Sequence, residues 1–95
     1  MSKTRIYIIC TYNSRGRYVQ TATPNRNRAA LLAARLVEDY TADGWNNTET
    51  QTIPADEWKQ AGPGVPAVVE VAHLRNAAGD WCNVELYRVE DINEN

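Results

Sequence analysis

Residues 4–23 of the chain, TRIYIICTYNSRGRYVQTAT, decide the fold because they predict two strands joined by a tight turn. β-Branched and aromatic side chains fill residues 4–12, and their dense apolar run indicates a central strand. The next five residues, NSRGR, combine Asn, Ser and Gly, which favour a turn. With a returning strand over residues 18–23, the segment predicts a β-hairpin that carries Arg15 and Arg17 at its tip.

The segment after the hairpin predicts one long helix. Over residues 25–43, apolar side chains recur every three or four positions, so that one helical face is apolar. Either Thr23 or Asn25 suits the N-cap, with Pro24 in the first turn, and Gly44 suits the C-terminal end. The apolar face is formed by Ala29, Leu32, Ala33, Leu36, Val37 and Tyr40.

The second half of the chain predicts three further strands, over residues 45–53, 65–74 and 81–90. A short helical turn is expected near residues 55–60, and NAAGD at residues 76–80 favours a turn. The element order β-β-α-β-β-β predicts an α+β fold. In it, an antiparallel sheet of four to five strands carries the long helix on one face.

The size and composition of the chain are those of a small globular protein. Its 95 residues, 43% of them hydrophobic, are enough to bury a core, so we expect one domain over residues 1–95. No run approaches the roughly 20 apolar residues that cross a bilayer. The first residues lack the apolar stretch of a secretory signal. We therefore expect a cytoplasmic protein without a membrane partner.

Residues suited to catalysis or metal binding are few, and we expect neither enzyme activity nor a cofactor. His73 is the single histidine, and Cys10 and Cys82 are not part of a C-x-x-C pair, which is too few ligands for a zinc site. A disulfide between the two cysteines is possible if their strands are neighbours. Glu70 and Glu85 are expected to face solvent rather than form a carboxylate pair for acid–base chemistry.

Charge is distributed unevenly along the chain. Up to Val37 there are seven basic and no acidic residues, whereas twelve acidic and three basic residues follow from Glu38 onward. The formal charges of +7 and −9 give the net charge of −2. Such asymmetry predicts an interaction surface in the basic first third. Alternatively, the acidic remainder folds against the first third and cancels its charge through ion pairs.

Two arginine clusters form the candidate binding surface. A basic hairpin tip with tyrosines at its base can contact a nucleic-acid backbone and stack on bases. A helix start attracts phosphate through its free N–H groups and its dipole, and arginines there add to the attraction. The predicted strand between the clusters spans about 20 Å, which implies an elongated stripe or two separate contacts. The predicted contact residues are Tyr12, Arg15, Arg17, Tyr18, Arg26, Arg28 and Arg35.

The hairpin IYIICTYNSRGRYVQ and the helix NRNRAALLAARLVEDYTADGW, in a compact chain without a catalytic set, resemble the small anti-CRISPR proteins of phages and other mobile elements. The likeness covers the whole chain and is greatest to inhibitors of type I surveillance complexes, type I-F among them. It implies a stoichiometric inhibitor that contacts Cas proteins or guide RNA and blocks target DNA recognition. The arginines at positions 15, 17, 26 and 28 are then natural contacts with guide RNA or acidic Cas surfaces.

Two other functions are also consistent with the sequence. A small nucleic-acid-binding regulator would use the hairpin tip and the helix start directly, with an affinity that falls as salt rises. A homo-oligomeric structural or assembly protein would instead pair through an edge of its sheet.

Overall fold

The computed structural model describes residues 4–54 and 66–91. In this part of the chain, five antiparallel strands form one sheet, and one helix packs on one face of it. The predicted α+β fold and the order β-β-α-β-β-β are confirmed. The helical turn expected near residues 55–60 lies outside the described residues. The elements are β1 (Thr4–Asn13), β2 (Gly16–Thr23), α1 (Arg26–Ala42), β3 (Asn46–Thr52), β4 (Ala67–Arg75) and β5 (Trp81–Asp91).

The strands lie in the order β2-β1-β5-β4-β3, so β1 and β5 form the middle of the sheet. β1 pairs with β5 along its whole length, from Thr4 opposite Asp91 to Asn13 opposite Cys82. The dense apolar run of β1 therefore belongs to an interior strand, as the sequence predicts. The β1–β2 hairpin is also confirmed, with Ser14 and Arg15 in its turn.

The start of α1 is organised by one side chain. Asn25 is the N-cap, and its Oδ1 accepts a hydrogen bond from the Arg28 backbone N–H at 2.9 Å. The Thr23 hydroxyl instead accepts from the Asn25 N–H at 3.2 Å, so it supports the cap rather than forming it. Gly44, with φ of +93°, follows the helix in the backbone region that glycine tolerates best. Within the described residues, no helix is long and apolar enough to cross a membrane.

The core lies between α1 and the face of the sheet that it covers, here called the helix face. Ala29 and Ala33 are almost completely buried, and their small side chains let α1 approach the strands closely. The larger core side chains come from alternate strand positions, because successive residues of a strand point to opposite faces. They include Tyr7, Ile9, Val69, Leu74, Val84 and Leu86.

The opposite face of the sheet, here called the second face, changes character along the strands. Its apolar half contains Ile6 and Val68, of which 39% and 38% are exposed. Its polar half contains a row of residues that are register partners on adjacent strands. That row runs across all five strands through Glu49, His73, Asn83, Tyr12 and Arg17.

Both edge strands carry a bulge. The register of β2 against β1 shifts at Gln20, and that of β3 against β4 shifts at Thr48. A bulge at a sheet edge disturbs the ladder and makes addition of another strand less favourable. The edges of this sheet are therefore poor surfaces for strand-to-strand assembly.

Candidate nucleic-acid interface

The predicted contact residues divide between the two ends of β2. Arg15 lies in the β1–β2 turn, whereas Arg26 and Arg28 lie in the first turn of α1, beyond the other end of the strand. At about 3.3 Å per residue, the eight residues of β2 span about 26 Å. The two arginine clusters are thus separate in space, in agreement with the elongated arrangement predicted from the sequence.

Arg17 is bound by the protein's own second face. Its Nε donates to Glu85 Oε1 at 2.6 Å, and its Nη2 donates to Oε2 at 3.2 Å. The guanidinium carbon also lies 4.2 Å from the Tyr12 ring centroid, a cation–π distance. Because 47% of the Arg17 side chain remains exposed, only its outer part is left for the predicted contact with a partner.

Glu85 is buried, and the expectation that it faces solvent is wrong. Only 7% of its side chain is exposed, because Arg17 reaches across β1 and covers the carboxylate. Two hydrogen bonds to a fixed positive charge compensate for the lost hydration. The same contact raises the pKa of the Arg17 guanidinium, mainly through the hydrogen bond to Glu85. In this structure the Glu85 carboxylate is thus paired with a guanidinium and not with a second carboxylate.

The two tyrosines near the hairpin tip point to opposite faces of the sheet. Tyr12 lies on the second face, where its ring packs edge-on against Trp81 with centroids 5.1 Å apart. Tyr18 pairs with Thr11 on the helix face, is 49% exposed, and donates its hydroxyl to the Arg15 carbonyl. They therefore do not form one aromatic base for a basic finger, although they are close in sequence.

The arginines of α1 form a stripe on its exposed side. Arg28 and Arg35 are two turns apart, about 10 Å along the axis, and Leu31 lies between them with 52% of its surface exposed. We call these three residues the helix stripe. Arg26 is also exposed, and the first turn contains no acidic residue. Positive charge at a helix start opposes the dipole, so Arg26 and Arg28 do not stabilise the helix through it.

Internal neutralisation of the basic first third is partial. Among the described residues, Arg5 pairs with Glu90 at 3.0 Å and Arg17 pairs with Glu85, so acidic residues of the second half cancel part of the early positive charge. Arg15, Arg28 and Arg35 form no ion pair with any residue of 4–54 or 66–91. The internal cancellation of charge predicted as the alternative therefore occurs in part, and Arg15, Arg28 and Arg35 remain unpaired on the described surface.

The two cysteines are free and lie on opposite faces of the sheet. Cys10 is paired in register with Glu85 on the second face, whereas Cys82 lies opposite Asn13 on the helix face. Although β1 and β5 are neighbours, this alternation keeps the thiols apart. Burial raises the pKa of the Cys10 thiol, and the nearby Glu85 charge adds to the effect. Cys10 is therefore a buried thiol of the second face with little thiolate character.

Two partly buried tyrosines make the fold sensitive to alkaline pH. Burial raises the pKa of Tyr87 to about 12, assisted by a hydrogen bond with Glu85. Burial likewise raises the pKa of Tyr40 to about 12, assisted by a hydrogen bond with Cys82. Because both values lie above the ordinary value of 10.0, the neutral tyrosines stabilise the fold fully below about pH 10. This contribution is lost as the pH rises from about 10 to about 12.

We therefore expect the free energy of unfolding, measured by urea titration, to fall between about pH 10 and about pH 12. In the Tyr87→Phe variant the side chain at position 87 cannot ionise, so the variant should lose less stability over this pH range than the parent chain. Tyr18→Phe is the matched control, because it removes the hydroxyl of a tyrosine that is 49% exposed. Equal pH dependence of the Tyr87 and Tyr18 variants would contradict the shifted pKa of Tyr87.

Three further residues gather near Arg15 that sequence reasoning did not select. The tip end of the molecule comprises the β1–β2 turn, residues 43–45 between α1 and β3, and the β4–β5 turn at residues 76–80. Trp45 and Trp81 line a common cleft there with Arg15, and Arg75 lies opposite Trp81 in the β4–β5 ladder. Trp45 and Trp81 are distant in sequence from Arg15, so only the strand register brings these three residues together.

Comparisons with protein-family models, with curated proteins and with solved structures find no match for this chain.

Proposed function

We propose that this protein is a non-catalytic inhibitor of the anti-CRISPR type, which docks on a type I Cas–guide RNA surveillance complex in the bacterial cytoplasm and blocks target DNA recognition. The observation that carries the proposal is the unpaired helix stripe. Arg28 and Arg35 face outward without an ion pair in the described part of the chain, and Leu31 lies exposed between them. Arg15 adds positive charge in the β1–β2 turn.

The chemistry of the helix stripe suits a partner that presents phosphates or carboxylates on a firm scaffold. A guanidinium offers a planar fork of donors that binds either anion in a bidentate manner. Two forks about 10 Å apart on a rigid helix favour a partner with a matching spacing of anions. The exposed Leu31 favours a protein surface next to those anions, because an apolar contact adds nothing against a phosphate backbone alone. A guide RNA held by Cas subunits presents both kinds of surface.

Arg28→Gln/Arg35→Gln is expected to weaken docking on a purified type I-F complex by at least about tenfold, because two charge-assisted contacts are lost. The fold should survive. Removal of Arg28 relieves repulsion from the helix dipole, and a glutamine three residues after the Asn25 cap favours a capping box. Stability should therefore stay equal or rise by about 0.5 kcal/mol. Native mass spectrometry measures the docking, and thermal unfolding measures the fold.

Ala30→Glu/Ala34→Glu is the matched control. It makes the same change in net charge on the same exposed helix but leaves the helix stripe intact. It should dock like the parent chain. If both double variants lose docking equally, net charge rather than the helix stripe is responsible. If neither loses it, the helix stripe is not the docking surface.

Affinity capture from a CRISPR-bearing bacterium, with and without nuclease, separates this proposal from the two alternatives. Cas subunits and guide RNA recovered at fixed stoichiometry support the inhibitor. Mixed nucleic acid that disappears with nuclease, recovered without Cas subunits, supports a free nucleic-acid-binding regulator. Recovery of neither, together with a multimeric mass for the purified chain, supports a homo-oligomeric assembly protein, although the bulges at Gln20 and Thr48 disfavour pairing through the sheet edges.

A further inference from the structure

Trp81 separates two clefts at the tip end. It begins β5 directly after the β4–β5 turn and is half-buried. One cleft, of about 340 Å³, lies on the second face beside β3 and β4. The other, of about 400 Å³, lies between the β1–β2 and β4–β5 turns. Because Trp81 lines both, its indole ring forms the wall that they share.

The first cleft combines this aromatic wall with a cation and a row of polar groups. Arg75 is exposed and forms no ion pair with a described residue. Glu49 lies opposite His73, whose Nδ1 is 3.0 Å from Asn83 Oδ1. The row therefore presents carboxylate, imidazole and amide groups side by side, next to an indole face. Such a set of donors and acceptors is suited to the edge of a planar polar ring.

The second cleft repeats the same combination. Arg15 is exposed and free of ion pairs among the described residues, and Trp45 adds a second indole. Asp80 uses one carboxylate oxygen to accept from Asn76 Nδ2 at 3.1 Å. Its other oxygen accepts no hydrogen bond from the described residues. Each cleft thus offers an indole, a guanidinium and a carboxylate.

We infer that the tip end binds two consecutive unpaired nucleotides of a single-stranded nucleic acid, one in each cleft, with the Trp81 side chain in contact with both. Arg75 and Arg15 contact the flanking phosphates. The cleft volumes fall at the lower end of the range for ligand-binding clefts, about 300–1,000 Å³. Bases must be unstacked to reach a half-buried indole, so a single strand fits this site and a duplex does not.

The carboxylates set a preference among bases. Glu49 in the first cleft and Asp80 in the second accept hydrogen bonds but donate none when ionised. Exocyclic amino groups, such as N4 of cytosine and N6 of adenine, are the base groups that donate to such acceptors. Uracil lacks an exocyclic amine. Oligocytidine should therefore bind more tightly than oligouridine of equal length.

The inference goes beyond the proposed docking, since it concerns naked single strands and a different set of residues. The test is fluorescence anisotropy of a labelled short oligocytidine titrated with the full chain. We expect saturable binding that weakens at least about tenfold in Trp81→Ala, while Trp81→Phe retains most of the affinity because it keeps an aromatic face. A duplex of the same length should bind at least about tenfold more weakly than the single strand.

Arg15→Gln/Arg75→Gln keeps the proposal testable if Trp81→Ala fails to fold, because both arginines are exposed. This variant should reduce the slope of log K against log salt by about 1.4, or about 0.7 for each lost phosphate contact. Arg28→Gln/Arg35→Gln makes the same charge change and should bind oligocytidine like the parent. Arg28→Gln/Arg35→Gln tests only the helix stripe, and Arg15→Gln/Arg75→Gln tests only the tip end. A negative result for one surface therefore leaves the proposal for the other surface standing.

Three results would overturn the inference. One is the absence of oligocytidine binding by the parent chain. Another is equal binding by the parent and by both the Trp81→Ala and the Arg15→Gln/Arg75→Gln variants. The third is binding of a polyglutamate peptide, with the same dependence on Trp81, in place of any oligonucleotide. That last result would assign the tip end to an acidic protein partner.

Discussion

Ile9→Ala is expected to lower the free energy of unfolding by about 3 kcal/mol, the largest stability loss predicted here. Ile9 lies in the middle of the interior strand β1, points toward α1, and is only 1% exposed. Truncation removes buried apolar contacts and leaves a cavity between sheet and helix that close-packed neighbours fill only in part. A domain of this size is stable by about 5–15 kcal/mol, so the loss should be obvious in a urea titration.

Ile6→Ala provides the matched control for this prediction. The substitution is chemically the same and lies on the same strand, but Ile6 is on the second face and 39% exposed. Its cost should be about 1 kcal/mol, since less apolar surface returns to water and no enclosed cavity forms. Equal losses for the two variants would mean that β1 does not direct Ile9 into the core beneath α1.

Arg17→Ala is expected to cost about 2 kcal/mol, because it leaves the buried Glu85 carboxylate without its bidentate partner. This loss is smaller than that expected for a fully buried ion pair, because about half of the Arg17 side chain is in solvent. The variant also loses the contact between the guanidinium and the Tyr12 ring. Urea titration at neutral pH measures the change.

A double-mutant cycle isolates the contribution of the pair. Glu85→Ala removes the buried charge together with its partner's hydrogen bonds, so adding Arg17→Ala to it should cost little more. We expect the sum of the two single-variant losses in unfolding free energy to exceed the loss in Arg17→Ala/Glu85→Ala by at least about 1 kcal/mol. Arg5→Ala, whose ion pair with Glu90 involves a side chain 54% exposed, should cost less than about 1 kcal/mol. Additive losses in the cycle would show that Arg17 and Glu85 act independently.

Local patterns in the chain were enough to predict the elements and their order. The dense apolar run of β1, the NSRGR turn and the three-to-four-residue repeat of α1 each depend on neighbours within a few positions. The predicted helix, residues 25–43, differs from Arg26–Ala42 by one residue at each end. Asn25 and Gly44 mark these ends because capping is itself a local interaction. The apolar face of α1 was predicted from the same repeat and is the face that packs on the sheet.

The candidate sites depended on which strands become neighbours, and local patterns do not contain that information. Arg17 was predicted to be a free contact and Glu85 to face solvent. They pair because β1 lies between β2 and β5, which brings residues 68 positions apart within hydrogen-bonding distance. Trp81 and Arg15 line one cleft for the same reason, since the pairing of β1 with β5 places their turns at the same end of the sheet. Short-range propensities therefore specified the strands and the helix, whereas long-range pairing decided which charges are cancelled and which aromatic and basic side chains meet.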